Sequence, residues 1–231
     1  MVNIFKKAAS SLLERLSSTA TVLAVRSWQQ GTMYEVDLHL PEVDMESWNS
    51  IKRLKCRVGA FDYRDYTPTL WNSEMNICTL LIDSGHDGAG SQWVRTLKAG
   101  DKILYGAAHA ASLPPVKGRM LCLADASAIG HFLALKQLTD RSEHPMDVTI
   151  IVQDIYQIPT VFKEENPEFR FIKGPGNGLI NRMEQWLRGE ELTGYNFVYI
   201  AGNSSMMKVL KSKLKADPQV HARVYGYGFW S

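Results

Sequence analysis

The sequence predicts an antiparallel β-barrel followed by a parallel α/β domain, and three observations carry that fold class. Residues 33–40 alternate strictly, with Tyr34, Val36, Leu38 and Leu40 on one face and Glu35, Asp37 and His39 on the other, the mark of a half-buried strand. Further short strands at 20–25, 52–58, 60–66, 77–82 and 101–105 are divided by Gly, Pro and Asp turns, as in closed antiparallel barrels. Beyond Pro114-Pro115 the pattern changes. Strands at 119–124, 148–152, 197–201 and 222–225 alternate with helices over 128–138, 178–188 and 205–214, the order of a parallel α/β sheet. The Pro-Pro stretch sets the boundary, giving domains of residues 1–115 and 116–231.

A chain of 231 residues, 45% of them hydrophobic, can fill two such cores. Its 26 basic and 24 acidic side chains leave a net charge of +2, which argues against bulk nucleic-acid binding. Cys56, Cys78 and Cys122 are scattered through apolar stretches with no CxxC spacing, so reduced thiols and a cytoplasmic protein are expected. The six His are dispersed and no HExxH occurs, so no protein metal site is expected. Ile4, Phe5, Ala8, Leu12 and Leu16 recur at helical spacing, which predicts an N-terminal amphipathic helix docked on its own domain. No apolar run is long enough to span a bilayer, and no membrane partner is expected.

Two constellations carry chemistry. In Arg64-Asp65-Tyr66-Thr67, Arg64 and Tyr66 share one strand face. A guanidinium grips a phosphate with paired hydrogen bonds, an aromatic lies against a flat ring, and a Thr hydroxyl reaches a polar ring edge. Alone, a four-residue motif reads better as an ordinary surface Arg-Tyr pair. The second constellation changes that balance. The strand ending at Ile82-Asp83 runs into Ser84-Gly85-His86-Asp87-Gly88-Ala89-Gly90-Ser91, and a helix is expected over 92–97 with Ser91 as its N-cap. A strand, a Gly-rich loop and a helix start form an anion site.

These residues resemble the FAD domain of the ferredoxin-reductase superfamily, whose Arg-x-Tyr-Thr/Ser motif is matched by Arg64, Tyr66 and Thr67. The siderophore-interacting branch is more similar still. Its His, Gly-rich turn, Ala-Ser and nearby Trp are matched by His86, Gly88, Ala89, Ser91 and Trp93, and its Gly-Asp by Gly100-Asp101. Its Gly-Asp-Glu-Thr-Ala turn, which opens the second domain, reads Ala124-Asp125-Ala126-Ser127-Ala128 here. Its later Ala-Gly-Glu reads Ala201-Gly202-Asn203. The family's terminal Tyr-Trp-Arg is replaced by Tyr227-Gly228-Phe229-Trp230-Ser231, without the Arg. The resemblance spans about residues 18–231.

The resemblance implies an FAD-dependent reductase of ferric siderophores that releases iron as Fe(II), with NADH, NADPH or reduced ferredoxin as electron donor. Arg64 would hold the FAD pyrophosphate, helped by the backbone around Gly88, Ala89, Gly90 and Ser91. Tyr66 would pack on the isoalloxazine, Thr67 would hydrogen-bond its central ring, and Ile82, Asp83, His86 and Trp93 would complete the site. Trp230 would cover the ring opposite Tyr66; the alternative is that Tyr227, Phe229 and Trp230 plug the α/β core. Asp125, Ser127 and Ala128 would admit a nicotinamide nucleotide, although no GxGxxG is present. Asp154 follows the second α/β strand; against a ribose it would favour NADH, and otherwise it is a solvated loop acid. No side chain is expected to act catalytically, because the cofactor carries the redox chemistry.

Two basic features complete the reading. Arg53, Lys55 and Arg57 project from one strand face, as a solvated surface or as an attractor for an anionic ferric chelate. Lys208, Lys211 and Lys215 form a solvated helical stripe opposite Met207, Leu210 and Leu214. Two other functions stand beside the reductase: a general flavin reductase without siderophore specificity, and a non-catalytic siderophore-binding module.

Overall fold

A computed structural model describes residues 17–107, 111, 113, 117–140, 142–176 and 178–230. The expected N-terminal helix and Pro114-Pro115 lie outside the described residues. The chain divides into two compact units, Met1–Ser112 and Leu113–Ser231.

The first unit is a nearly closed antiparallel barrel. Its strands are β1 (Ser18–Ser27), β2 (Met33–His39), β3 (Leu54–Arg57), β4 (Tyr63–Tyr66), β5 (Pro68–Asn72), β6 (Ile77–Asp83) and β7 (Lys102–Ala107), in the order β4-β3-β7-β1-β2-β6-β5. The two edge strands, β4 and β5, are separated by Thr67 alone, so the chain itself draws the edges together. Alternation fills the interior: Val36 and Leu38 from β2, Leu54 and Cys56 from β3, and Leu80 and Ile82 from β6 all face the core. The opposite face of β2 is polar, and Asp37 there accepts two bonds from Arg26 and one from Thr79 Oγ1.

Two local expectations give way. Residues 60–62 belong to a turn rather than to β4: Val58 N–H donates to Asp62 O, and Arg57 donates to the carbonyls of Gly59 and Ala60. Strand β5 escaped notice because it opens on Pro68, a residue compatible only with strand starts and edges. It also carries a bulge between Thr69 and Asn72, where Leu70 takes φ +49°.

The second unit is a five-stranded parallel sheet of β8 (Met120–Asp125), β9 (Met146–Gln153), β10 (Phe169–Gly174), β11 (Phe197–Asn203) and β12 (Arg223–Trp230), ordered β10-β9-β8-β11-β12. Its helices are α2 (Ile129–Leu138), α3 (Thr160–Glu165), α4 (Leu179–Leu187) and α5 (Ser204–Ala216); α1 (Ala89–Val94) belongs to the barrel. The chain builds outward from β8 through β9 to β10, then crosses to β11 and β12 on the other side. The carboxyl ends of β8 and β11 therefore flank the point where strand order reverses, the usual ligand crevice of such sheets. On α5, Met206, Leu210 and Leu214 are buried and Met207 packs beside them.

Strand β10 and helix α3 were not legible. Phe169–Gly174 is a half-exposed edge strand of the parallel sheet, and α3 spans only six residues. Strand β12 runs five residues past the expected 225, because Tyr-Gly-Tyr-Gly alternation reads as turn-rich while serving as a two-faced strand. Tyr225 and Tyr227 stack on Tyr199, and Tyr227 and Phe229 ring the buried His131. The glycines face α5: a Cβ on Gly228 would lie 2.5 Å from Ser204 Oγ and 3.3 Å from its Cα. Gly228→Ala is therefore expected to lower stability by about 1–3 kcal/mol through overpacking. Gly106→Ala on β7, where a Cβ meets nothing within 4 Å, should stay within about 0.5 kcal/mol of the parent. Thermal melts of the two variants check the contrast.

All three cysteines are buried and unpaired. Burial pushes the Cys56 thiol up to about 12 and the Cys122 thiol well above its ordinary value, and it raises Cys78 in the same direction. Since the thiolate is the nucleophile, none of the three is expected to react with an aromatic disulfide reagent at pH 8 until denaturant is added. Thiol titration with and without guanidinium measures this.

Candidate functional site

In the barrel, the seam brings the two sequence constellations together. Arg64 and Tyr66 stand on β4, opposite Cys56 and Leu54 of β3, and Thr67 follows at the crossing to β5. Strand β6 ends at Asp83 and delivers the loop to α1. A Cβ on Gly90 would strike Tyr66 Oη inside van der Waals contact and would lie 3.7 Å from Arg64 Cγ. The first turn of α1 therefore packs directly beneath both motif residues, and glycine is what lets it do so. Tyr66 stacks on Trp93 of α1 at 5.8 Å between ring centroids and 16° between planes. Burial raises the Tyr66 phenol well above its ordinary value, against the opposing pull of Arg64, so the hydroxyl stays protonated at neutral pH.

The helix begins earlier than expected. Gly88, in extended conformation, is the N-cap of α1, and Ser91 sits inside the helix. Ser91 is buried; its Oγ donates to Asp83 O at 3.3 Å and lies 3.4 Å from His86 Nε2. Its hydroxyl thus ties the loop back to β6 instead of capping. Asp83 Oδ1 accepts from Gly85 N–H at 3.0 Å, and its Oδ2 lies 3.6 Å from His86 Nδ1. Arg95, not singled out in the sequence, locks the loop by donating to Ser84 O at 2.6 Å; a cation one helical turn past a Gly-rich loop was the available signal. Ile82 must be set aside as a side-chain ligand, since it is 1% exposed and points into the barrel core.

The donor set fits a pyrophosphate. The first amides of a helix have no intrahelical acceptor, and Gly88 brings no side-chain cap to satisfy those of α1. Arg64 is exposed, and among the described residues its guanidinium makes one hydrogen bond, from Nη1 to Tyr63 O at 2.8 Å. Its remaining N–H groups are available for paired contact with an anion.

The basic face lies on the other side of the β3–β4 pair. Lys55 is bonded to Asp65 directly across the ladder at 2.8 Å, and Arg57 is engaged by turn carbonyls. Asp65 offsets the charge of Lys55, and Arg53 precedes β3 with its Nε buried.

In the second unit, the turn after β8 is organised by Asp125. Its Oδ1 accepts from Ser127 N–H and Oγ at 3.0 and 2.5 Å, and its Oδ2 accepts from Asn203 N–H at 2.6 Å, which joins the ends of β8 and β11. Gly202 makes room at φ +118°, where a Cβ would meet Asp125 Oδ1 at 2.5 Å. Ala128 is fully buried and closes the turn. Asn203 Oδ1 caps α5 by accepting from Ser205 and Met206 N–H. Trp230 Nε1 donates to Ser127 Oγ at 3.1 Å, which sets the indole over these strand ends. Around them lies a pocket of about 370 Å³, to which Asp125, Asn203 and Trp230 contribute together with Gly176 and Gly178. Those glycines come from Gly174-Pro175-Gly176-Asn177-Gly178, a strand–loop–helix signal passed over in the sequence. Asp154 is exposed.

No protein-family model and no curated protein sequence matches the chain. Solved structures do. A siderophore-interacting protein from Acinetobacter baumannii is 13% identical, with a TM-score of 0.69 over 93% of this chain and 90% of its own. A siderophore utilization protein from T. fusca is 18% identical, with a TM-score of 0.70 over 93% and 92%. A ferredoxin NADP+ reductase from Neisseria gonorrhoeae, solved with FAD and NADP bound, is 18% identical, with a TM-score of 0.63 over 93% and 99%. The chain therefore has the fold of the siderophore-interacting proteins and the ferredoxin reductases.

Proposed function

We propose that the chain is an FAD-dependent reductase of ferric siderophores, releasing iron as Fe(II). The observation that carries this reading is the packing of Gly90 beneath both Arg64 and Tyr66, which joins a phosphate-gripping cation, an aromatic platform and a helix start in one site. A fold shared with siderophore-interacting proteins supports the substrate class. Arg64 would hold the pyrophosphate with the α1 amides, Tyr66 would back the isoalloxazine, and Thr67 would bond its central ring. Asp83, His86, Ser91 and Trp93 would keep the loop and platform in register. Bound there, the flavin supplies a store of two electrons that can be passed on singly. The ferric chelate needs no side-chain ligand, since Fe(II) is held less firmly than Fe(III) by hard oxygen donors. The donor is a nicotinamide nucleotide seated at the strand ends around Asp125, Ser127 and Ala128, or a reduced ferredoxin. The cytoplasm is the proposed compartment, where unpaired thiols persist. Among the described residues no helix is long and apolar enough to cross a membrane.

Anaerobic stopped-flow of the flavin-loaded protein with NADH, NADPH or reduced ferredoxin, and a ferrous-specific chelator as trap, tests the whole reading. Siderophores should be reduced well ahead of ferric citrate and of dyes. Equal rates would leave a general flavin reductase, and purification without flavin would leave a binding module.

Arg64→Ala is expected to weaken FAD binding about tenfold or more, because a charge-assisted pair to phosphate is lost. Equilibrium dialysis of FAD measures it, and unchanged affinity would remove Arg64 from the site.

The basic face yields opposite effects from opposite changes. Reversing Arg53, Lys55 and Arg57 to Glu should raise the KM for an anionic ferric siderophore, whereas Asp65→Asn, which frees Lys55, should lower it. Both effects should fade in high salt, since exposed charges are screened beyond about 10 Å at 0.1 M ionic strength. Steady-state kinetics at two ionic strengths decide, and identical KM values would assign the face to plain solvation.

A further inference from the structure

We propose that the open edge of β12, with the lysine stripe of α5 beside it, takes an extended acidic segment of a partner protein as a sixth strand of the second unit's sheet. The inference goes beyond the reductase reading and does not depend on it.

Strand β12 ends the order β10-β9-β8-β11-β12, and among the described residues β11 is its sole ladder neighbour. Arg223 N–H donates to Asn196 O, on the β11 side. Backbone groups of a strand alternate in direction, so Val224, Gly226 and Gly228 turn their N–H groups to the open edge. Such an edge is a template for another strand, and proteins blunt it with short length, Pro or charged side chains. Here the strand runs eight residues, and residues 224–229 hold no Pro and no charge. Gly226 and Gly228 put no side chain of their own beside an incoming strand.

The charge beside the edge selects the partner. A Cβ on Gly226 would lie 3.2 Å from Lys211 Cδ and would press on Met207, so α5 carries Lys211 directly over β12. Lys208 and Lys215 flank Lys211 within a turn on the same stripe of α5. Lys213 lies off that stripe and is bonded to Glu184. Among the described residues Lys208, Lys211, Lys215 and Arg223 form no ion pair. Two copies of β12 paired antiparallel about a twofold axis normal to the sheet would bring their lysine stripes side by side, and like charge opposes that. An acidic strand meets the opposite balance. Its carboxylates belong on the α5 face, and at alternate positions its apolar side chains lie beside Tyr225, which is half-buried in its stack with Tyr199. In such strand addition the main-chain bonds give affinity and the flanking side chains give specificity.

The test measures fluorescence anisotropy of labelled, end-capped heptapeptides with the full chain. A peptide alternating Glu and Val is expected to bind about tenfold or more tightly than one alternating Lys and Val. Methylating every backbone nitrogen of the Glu-Val peptide keeps its charge and removes its amide donors, and should weaken binding about tenfold or more. Lys208→Glu, Lys211→Glu and Lys215→Glu together should abolish the preference for the acidic peptide. Val224→Pro removes an outward N–H while leaving the bond from Arg223 to β11, and should block binding in a protein that still melts cooperatively. If that variant does not fold, the methylated peptide makes the same comparison on the parent chain. Equal affinities for the Glu-Val and Lys-Val peptides would overturn the acidic partner. Undiminished binding of the methylated peptide would overturn the added strand and leave a contact of charge alone. A parent dimer in sedimentation that Val224→Pro dissociates would give the edge to a second copy and overturn the inference as well.

Discussion

The two edge strands of the barrel are joined by a single residue. With β4 and β5 flanking Thr67, the chain cannot leave one edge of the sheet without immediately starting the other, and the seven strands must curl until those edges meet. The edges are brought together by the connection, although β4 and β5 are not paired as a ladder. It also fixes the address of the motif. Arg64 and Tyr66 occupy the last turns of the pleat before the seam, and β6 brings the Gly-rich loop to the same place because it pairs with β5. The site is a product of barrel topology before it is a product of its side chains.

How much of this could be read in advance follows from the type of signal each element carries. The alternation of β2 and the apolar run of β8 announced themselves because one or both faces are buried. The Arg-x-Tyr-Thr motif and the Gly-rich loop were visible as residue types, and the structure adds their proximity through Gly90. Less visible were elements whose residues serve two masters. Strand β5 begins with a proline and bends at Leu70; β12 spends alternate positions on glycine so that α5 can approach. The start of α1 was misplaced because a serine beside a glycine run looks like a cap, while this one is buried and bonded to the preceding strand. Local propensity could not reveal that tertiary bond.

In the second unit the sequence offered an acid and a serine without the glycine fingerprint of dinucleotide folds. The structure explains how that turn holds its shape. Asp125 supplies in one carboxylate the acceptors that the turn after β8 and the start of α5 require, and so links adjacent strand ends across 78 residues of chain. A buried carboxylate must find donors, and this one finds two backbone amides and a hydroxyl. The linkage leaves the carboxylate anchored rather than free to swing, so the turn after β8 and the start of α5 are held in one register.

The contact of Gly90 with two motif residues also bears on how this protein can change over generations. Any side chain at position 90 would push against Tyr66 and crowd Arg64, and a shift of Tyr66 would unseat Trp93 from its stack. Residues in such direct contact do not contribute independently. Mutational drift at one of these four positions alters the effect of substitutions at the other three, so the cluster can change only through coordinated exchanges.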